Sequence, residues 1–174
     1  MPAVVAGHVG GWVGVGGTQA GPGGTAEWLQ VGLAAFPGDQ TMQMYYEVTL
    51  PRTQPRYVEL QSNVAPGTSH RFAVLEMRNR DNWWRVWVDG RPVSAPIHLP
   101  DSHGSWYPQA MGESWNGGVG ACNSYAFRFA DVDVATADGG GWRPLQSGGK
   151  WQDPGTHLRS LALGSASFLA TSLA

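Results

Sequence analysis

Cysteine, charge and long apolar runs are all scarce in this chain. Among 174 residues Cys122 is the sole cysteine, which rules out an intramolecular disulfide and leaves a thiolate zinc site without partners. Stability must therefore come from packing. Only 14% of residues are charged, with 11 Lys and Arg against 13 Asp and Glu and a formal net charge of -2. Such a balance gives neither a basic surface that tracks phosphates nor an electrostatic membrane anchor, so nucleic acid and membrane are not expected partners. No run reaches the roughly 18 apolar residues of a membrane-spanning helix, and the apolar tail after Leu161 is interrupted by Gly164 and by Ser and Thr. The opening Met1-Pro2-Ala3-Val4-Val5 has no basic stretch followed by a long apolar one, and so reads as no secretory signal. The compartment stays open between a secreted chain already trimmed and a cytoplasmic one.

Tryptophan and glycine are abundant instead, at 9 and 25 residues, a composition suited to sheets with tight turns and an aromatic-lined cleft. Strand patterns run over 9–15, 27–33, 41–50, 56–61, 70–78, 83–88, 91–95, 109–115 and 124–134, with a tail strand near 157–163. Pro-Gly at 22–23, 37–38 and 66–67 punctuates them. The clearest turn is Asp89-Gly90, a pair that accepts the positive backbone angles of a two-residue hairpin. Helical signals are nearly absent. Many short antiparallel strands predict an all-β fold, two packed sheets in a β-sandwich or jelly roll, since a parallel sheet would need crossover helices. The length suits one domain over 1–174, with 136–174 as a C-terminal extension.

Period-two reading then locates chemistry. In Trp28-Leu29-Gln30-Val31-Gly32-Leu33, the residues Leu29, Val31 and Leu33 share one face while Trp28, Gln30 and Gly32 share the other. A neutral amide beside an aromatic on an open face can bond a carbonyl oxygen or a sugar hydroxyl. Tyr45 and Glu47 likewise share a face, opposite Met44, Tyr46 and Val48. Gln109, Met111, Glu113 and Trp115 form a third row, in which Glu113 is partly desolvated by Met and Trp and suited to hold or release a proton.

These segments resemble the eqolisin family, the glutamic peptidases of the concanavalin A-like jelly-roll superfamily. Trp12-Val13-Gly14-Val15-Gly16-Gly17 is similar to the family's Trp-Val-Gly-Ile-x-Gly strand, and Leu29-Gln30-Val31-Gly32 to its Leu-Gln-x-Gly segment. Tyr45-Tyr46-Glu47 falls where the family has Trp-Tyr-Glu, with Pro51 near the proline that follows, and Val64-Ala65-Pro66-Gly67-Thr68 resembles a short turn ending in Gly-Asp. The likeness spans roughly residues 9 to 135 in order and spacing. It implies that Gln30 is the catalytic glutamine, whose amide steadies the tetrahedral oxyanion. It also implies that Glu113, aligned with the last residue of a Glu-[Trp/Phe]-Ile-x-Glu strand, is the general base that activates water. Only that last residue of the motif agrees. Trp12, Trp28, Tyr45, Glu47 and Trp115 would line the substrate cleft. The family usually carries two further strands ahead of the Trp-Val-Gly-Ile segment, so one sheet is expected to have lost an edge.

The expected activity is thus that of a glutamic endopeptidase working without cofactor or metal on a polypeptide. The alternative is a noncatalytic jelly roll that binds a glycan or a protein through exposed aromatics, since fold does not fix function. Plainer readings stand beside each residue: Gln30 as a solvated strand residue, Glu113 as a strand-end carboxylate, Glu47 as a structural hydrogen-bond acceptor. His8, His70, His98, His103 and His157 show no metal-ligand spacing on a common element, although His98 and His103 flank Asp101 in a loop that could hold a cation. Asp131 and Asp133 share a face and could ligate calcium, or simply be exposed. No P-loop and no Gly-x-Ser-x-Gly nucleophile elbow is present.

Overall fold

Alternation of small β-branched or aliphatic residues with glycine drives the first three strands together. The computed structural model of the chain describes residues 2–145 and 158–172. Strand β1 (His8–Gly21) lies between β2 (Thr25–Ala35) and β9 (Pro108–Trp115), and β3 (Met42–Thr49) and β4 (Arg56–Val64) continue beyond β2, giving the order β4-β3-β2-β1-β9. All these pairs are antiparallel. One face of this sheet carries Val9, Val15, Leu29, Val31, Leu33, Met44, Tyr46 and Val48, all buried in the core. No residue described lies in an α-helix; a single short 3-10 turn, Pro22–Gly24, joins β1 to β2.

The second layer covers that apolar face in two parts. Strands β5 (Phe72–Met77), β6 (Arg80–Val88), β7 (Arg91–Pro92) and β8 (Ile97–His98) form one sheet, in which β6 pairs with the other three. Strands β10 (Tyr125–Phe129), β14 (Ser167–Ser172) and β13 (Leu158–Gly164) form the other, while β11 (Asp133–Ala135) and β12 (Trp142–Pro144) pair as a small ribbon. Close approach of the layers depends on one glycine pair. Gly11 and Gly112 stand opposite each other in the β1–β9 ladder; a Cβ on Gly11 would strike the Phe127 ring, and one on Gly112 would lie 2.5 Å from the Ala170 Cβ. The architecture is an all-β, antiparallel β-sandwich.

Most expected strands are present, several with shifted ends. The stretch 124–134 is two strands rather than one, broken where Asp131 takes φ 52° between β10 and β11. The 91–95 strand shrinks to Arg91–Pro92: Val93 still donates to the Val86 carbonyl at 2.9 Å, but the Val86 N–H turns to Ser94 Oγ at 3.0 Å and the ladder ends there. Strands β8, β12 and β14 carry too little alternation to be read from sequence. The Asp89-Gly90 hairpin forms as its composition implies, with φ 50° and 78° and Val88 opposite Arg91. His157 lies outside the described residues.

One buried carboxyl has no compensation. Glu27 is fully buried at the end of the core face and neither of its carboxylate oxygens has a hydrogen-bond partner among the described residues. Burial, and secondarily the charge of Asp101, pushes its pKa from 4.5 up to about 7. Between those two values the folded chain holds a proton that the unfolded chain has released, so stability falls as pH rises through that window. The full effect is up to about 3 kcal/mol. Urea unfolding at pH 4 and pH 8 should show Glu27→Gln matching the parent in acid and exceeding it at the higher pH; equal pH dependence in both proteins would refute the assignment.

Candidate active site

Strand register decides which side chains meet on the sheet face turned away from the core. Gln30 stands opposite Gly14 of β1 and Glu47 of β3, while Glu113 of β9 stands opposite Gly10 of β1. Directly opposed residues share a face, and the period of two carries that face along each strand. Trp12, Trp28, Gln30, Tyr45, Glu47, Glu113 and Trp115 therefore all lie on the same surface. Gln30 and Glu113 do not share a rung. On β1 they are separated by the step from Gly10 to Gly14, and a long side chain is needed between them.

Tyr45 fills that need. Gln30 Nε2 donates to Tyr45 Oη at 3.1 Å, with Gln30 only 8% exposed and Tyr45 2% exposed. The Tyr45 ring stacks on Tyr57, centroids 4.7 Å apart and 13° from parallel. Its hydroxyl reaches across β2 to β1: a Cβ on Gly10 would sit 3.4 Å from Tyr45 Oη and 3.1 Å from Glu113 Oε1. The missing Gly10 side chain thus leaves an opening between a phenol and a carboxylate, with room for one small group. Irregular register between β3 and β4 on both sides of Met44 accompanies this placement, as bulges commonly do where a side chain is re-aimed.

Around this centre the remaining groups are held in pairs. Trp28 Nε1 donates to Glu47 Oε1 at 2.8 Å, so Glu47 serves as an acceptor that fixes the indole. His8 Nε2 lies 3.6 Å from Glu113 Oε1, and Trp115, opposite His8 in the ladder, leaves 56% of its surface exposed. The indole N–H of Trp12 is buried without a hydrogen-bond partner among the described residues. Burial dominates the electrostatics. It raises the Glu47 pKa against the opposing Trp28 hydrogen bond, with Glu113 adding to the rise. Burial, then the Glu113 and Glu47 charges, holds the Tyr45 phenol well above its usual range, so it stays neutral and keeps a proton to donate.

No protein-family model matches the chain, and no curated protein matches it in sequence. Among solved structures it is similar to aspergilloglutamic peptidase from Aspergillus niger, with a TM-score of 0.64 and 14% identity, over 95% of this chain and 99% of that one. The chain shares the fold of that peptidase.

Within that fold, the resemblance between the sequence and the eqolisins is matched at the level of architecture. Two members of the cluster, His8 and Tyr57, are not assigned to this face by the sequence patterns. His8 could have been found by stepping back in twos from Trp12, and Tyr57 only through the pairing of Glu47 with Tyr57 across β3 and β4. The histidines expected around Asp101 part company: His98 packs on Trp83 at 5.0 Å between centroids, while His103 turns to Glu76. Asp131 and Asp133 are both exposed and join no cluster of potential ligands among the described residues. Trp83 and Trp84 diverge as alternation requires, Trp84 donating to Ser102 Oγ at 2.7 Å.

Removing the tyrosine hydroxyl should register as lost stability, because the nearly buried Gln30 amide would lose its acceptor. Tyr45→Phe is expected to lower the unfolding free energy by about 1–2 kcal/mol. Chemical denaturation measures it directly, and an unchanged midpoint would mean that this bond does not hold the amide.

Proposed function

We propose that the chain is a glutamic endopeptidase-like hydrolase that cleaves peptide bonds with Gln30, Glu113 and an activated water. The observation that carries this reading is the Gln30–Tyr45–Glu113 arrangement around the Gly10 opening, on one face of a sheet in a fold shared with aspergilloglutamic peptidase. An extended polypeptide lies across the face, against Trp12, Trp28 and Trp115. Glu113 removes a proton from water in the opening, and the oxygen attacks the scissile carbonyl carbon. Gln30 has two amide hydrogens, of which Tyr45 takes one, so the other is free for the developing oxyanion. Glu113 then returns its proton to the leaving nitrogen, and the peptide bond breaks to a free carboxylate and amine. The Tyr45 hydroxyl accepts from Gln30 and can donate its own proton toward Glu113 or the oxyanion, which couples the two reacting groups.

A noncatalytic module that binds a glycan or a protein is the second reading. What favours it is the low exposure of Gln30, together with the openly exposed Trp115 at the end of the same face.

Peptide cleavage should fall by at least about a hundredfold in Gln30→Ala and in Glu113→Gln. Gly10→Ala, whose methyl would stand 3.1 Å from Glu113 Oε1 and force that side chain to give by a few tenths of an ångström, should also suppress turnover, by more than any accompanying fall in melting temperature accounts for. Cleavage assays on an unstructured protein substrate, paired with thermal melts, test all of these. Retained glycan or protein binding without cleavage, abolished by Trp115→Ala but not by Glu113→Gln, would decide for the binding module.

A further inference from the structure

Three groups with metal-ligand chemistry meet in the other layer of the sandwich. Glu76 belongs to β5, His103 to the connection between β8 and β9, and Asp138 to the turn between β11 and β12. One ligand atom from each lies within 4.8 Å of the other two. His103 Nδ1 is 2.9 Å from Glu76 Oε2. At 2.9 Å the two share a proton; donors held at about 2.1 Å on a tetrahedral ion stand about 3.4 Å apart, so an ion taking the place of that proton would widen the pair by about half an ångström.

The donors are also held in advance. The Glu76 side chain is only 10% exposed, and its Oε1 accepts the Asn82 N–H at 2.6 Å. The same Asn82 uses its Oδ1 to accept the His103 N–H at 2.8 Å. Gly139 donates to the Glu76 carbonyl at 2.8 Å, which ties the Asp138 turn to β5. Asp81 brings another carboxylate to 3.9 Å from His103. Among the described residues no Lys or Arg forms an ion pair with Glu76, Asp81 or Asp138, so acids are gathered here with a single imidazole against them.

We propose that Glu76, His103 and Asp138 form a binding site for a divalent cation of the zinc class. An imidazole among the donors disfavours calcium and magnesium, which take oxygen ligands, whereas zinc-class ions accept nitrogen and carboxylate oxygen together. The bound ion would clamp the β8–β9 connection and the β11–β12 turn onto β5, a cross-link that this chain cannot make with cysteine. The site lies apart from the Gln30 face and is independent of the function proposed for it.

Calorimetric titration of the metal-free full chain with zinc chloride, with calcium chloride as comparator, tests the assignment. One zinc ion per chain is expected at micromolar or tighter affinity, with a rise in melting temperature. Affinity should fall at least about tenfold in His103→Ala and in Asp138→Asn, with unchanged far-ultraviolet circular dichroism. If His103→Ala does not fold, Asp138→Asn carries the same criterion alone. Zinc binding no tighter than millimolar, equal affinity for calcium, or undiminished affinity in the folded variants would each overturn the proposal; the last would point to another histidine, such as His8 beside Glu113 or His70 beside Asp89.

Discussion

The register of β1 against β2 and β9 is the constraint on which both faces of the main sheet depend. Because side chains alternate, the same ladder that sends Val9, Val15, Leu29 and Val31 into the core sends Trp12, Gln30 and Glu113 to the opposite surface. A slip by one residue would exchange these sets, burying a carboxylate and exposing valines, so the apolar core itself holds the polar residues in place. Glycines on both faces let this happen at short range. Gly11 and Gly112 admit Phe127 and Ala170 from the second layer, and Gly10 lets Tyr45 and Glu113 approach from two directions.

Glu27, Glu47 and Tyr45 on this sheet are biased toward their uncharged forms. Burial raises Glu27, Glu47 and Tyr45 alike, and the neighbouring carboxylates reinforce the shift in each case. Several acids gathered in a poorly solvated setting repel one another when ionised, and a falling pH relieves that repulsion. The chain therefore combines an ordinary overall charge with a locally acid-favouring interior. Composition averages over the whole surface and conceals such a concentration.

Alternation made much of the fold legible from sequence. Rows such as Leu29-Val31-Leu33 and Met44-Tyr46-Val48 predict their faces correctly because one side of each strand must be buried. The residues of the candidate site could be assigned to faces in the same way, and family resemblance supplied the order in which the strands carry them. What could not be read was the lateral arrangement. Nothing in the chain states that β9 pairs with β1 or that β14 pairs with β10, since such contacts are closed by loops whose lengths do not specify partners. The role of Tyr45 was hidden for the same reason: its hydroxyl acts two strands away from its own backbone.

The contrast between the two clusters of polar groups follows from where their members come from. Gln30, Tyr45 and Glu47 lie on adjacent strands, and period alone assigns each to its face, so only the pairing of the strands is needed to bring them together. Glu76, His103 and Asp138 come from a strand, a connection and a turn, and no periodicity links them. His103 has a nearer sequence neighbour in Asp101, yet Asn82, at φ 64° in β6, receives the His103 amide and directs the imidazole to Glu76 instead. A left-handed asparagine mid-strand is costly unless its hydrogen bonds are met. Here both the backbone and the side chain of Asn82 are used, one by Glu76 and the other by His103, so the distortion and the cluster stabilise each other.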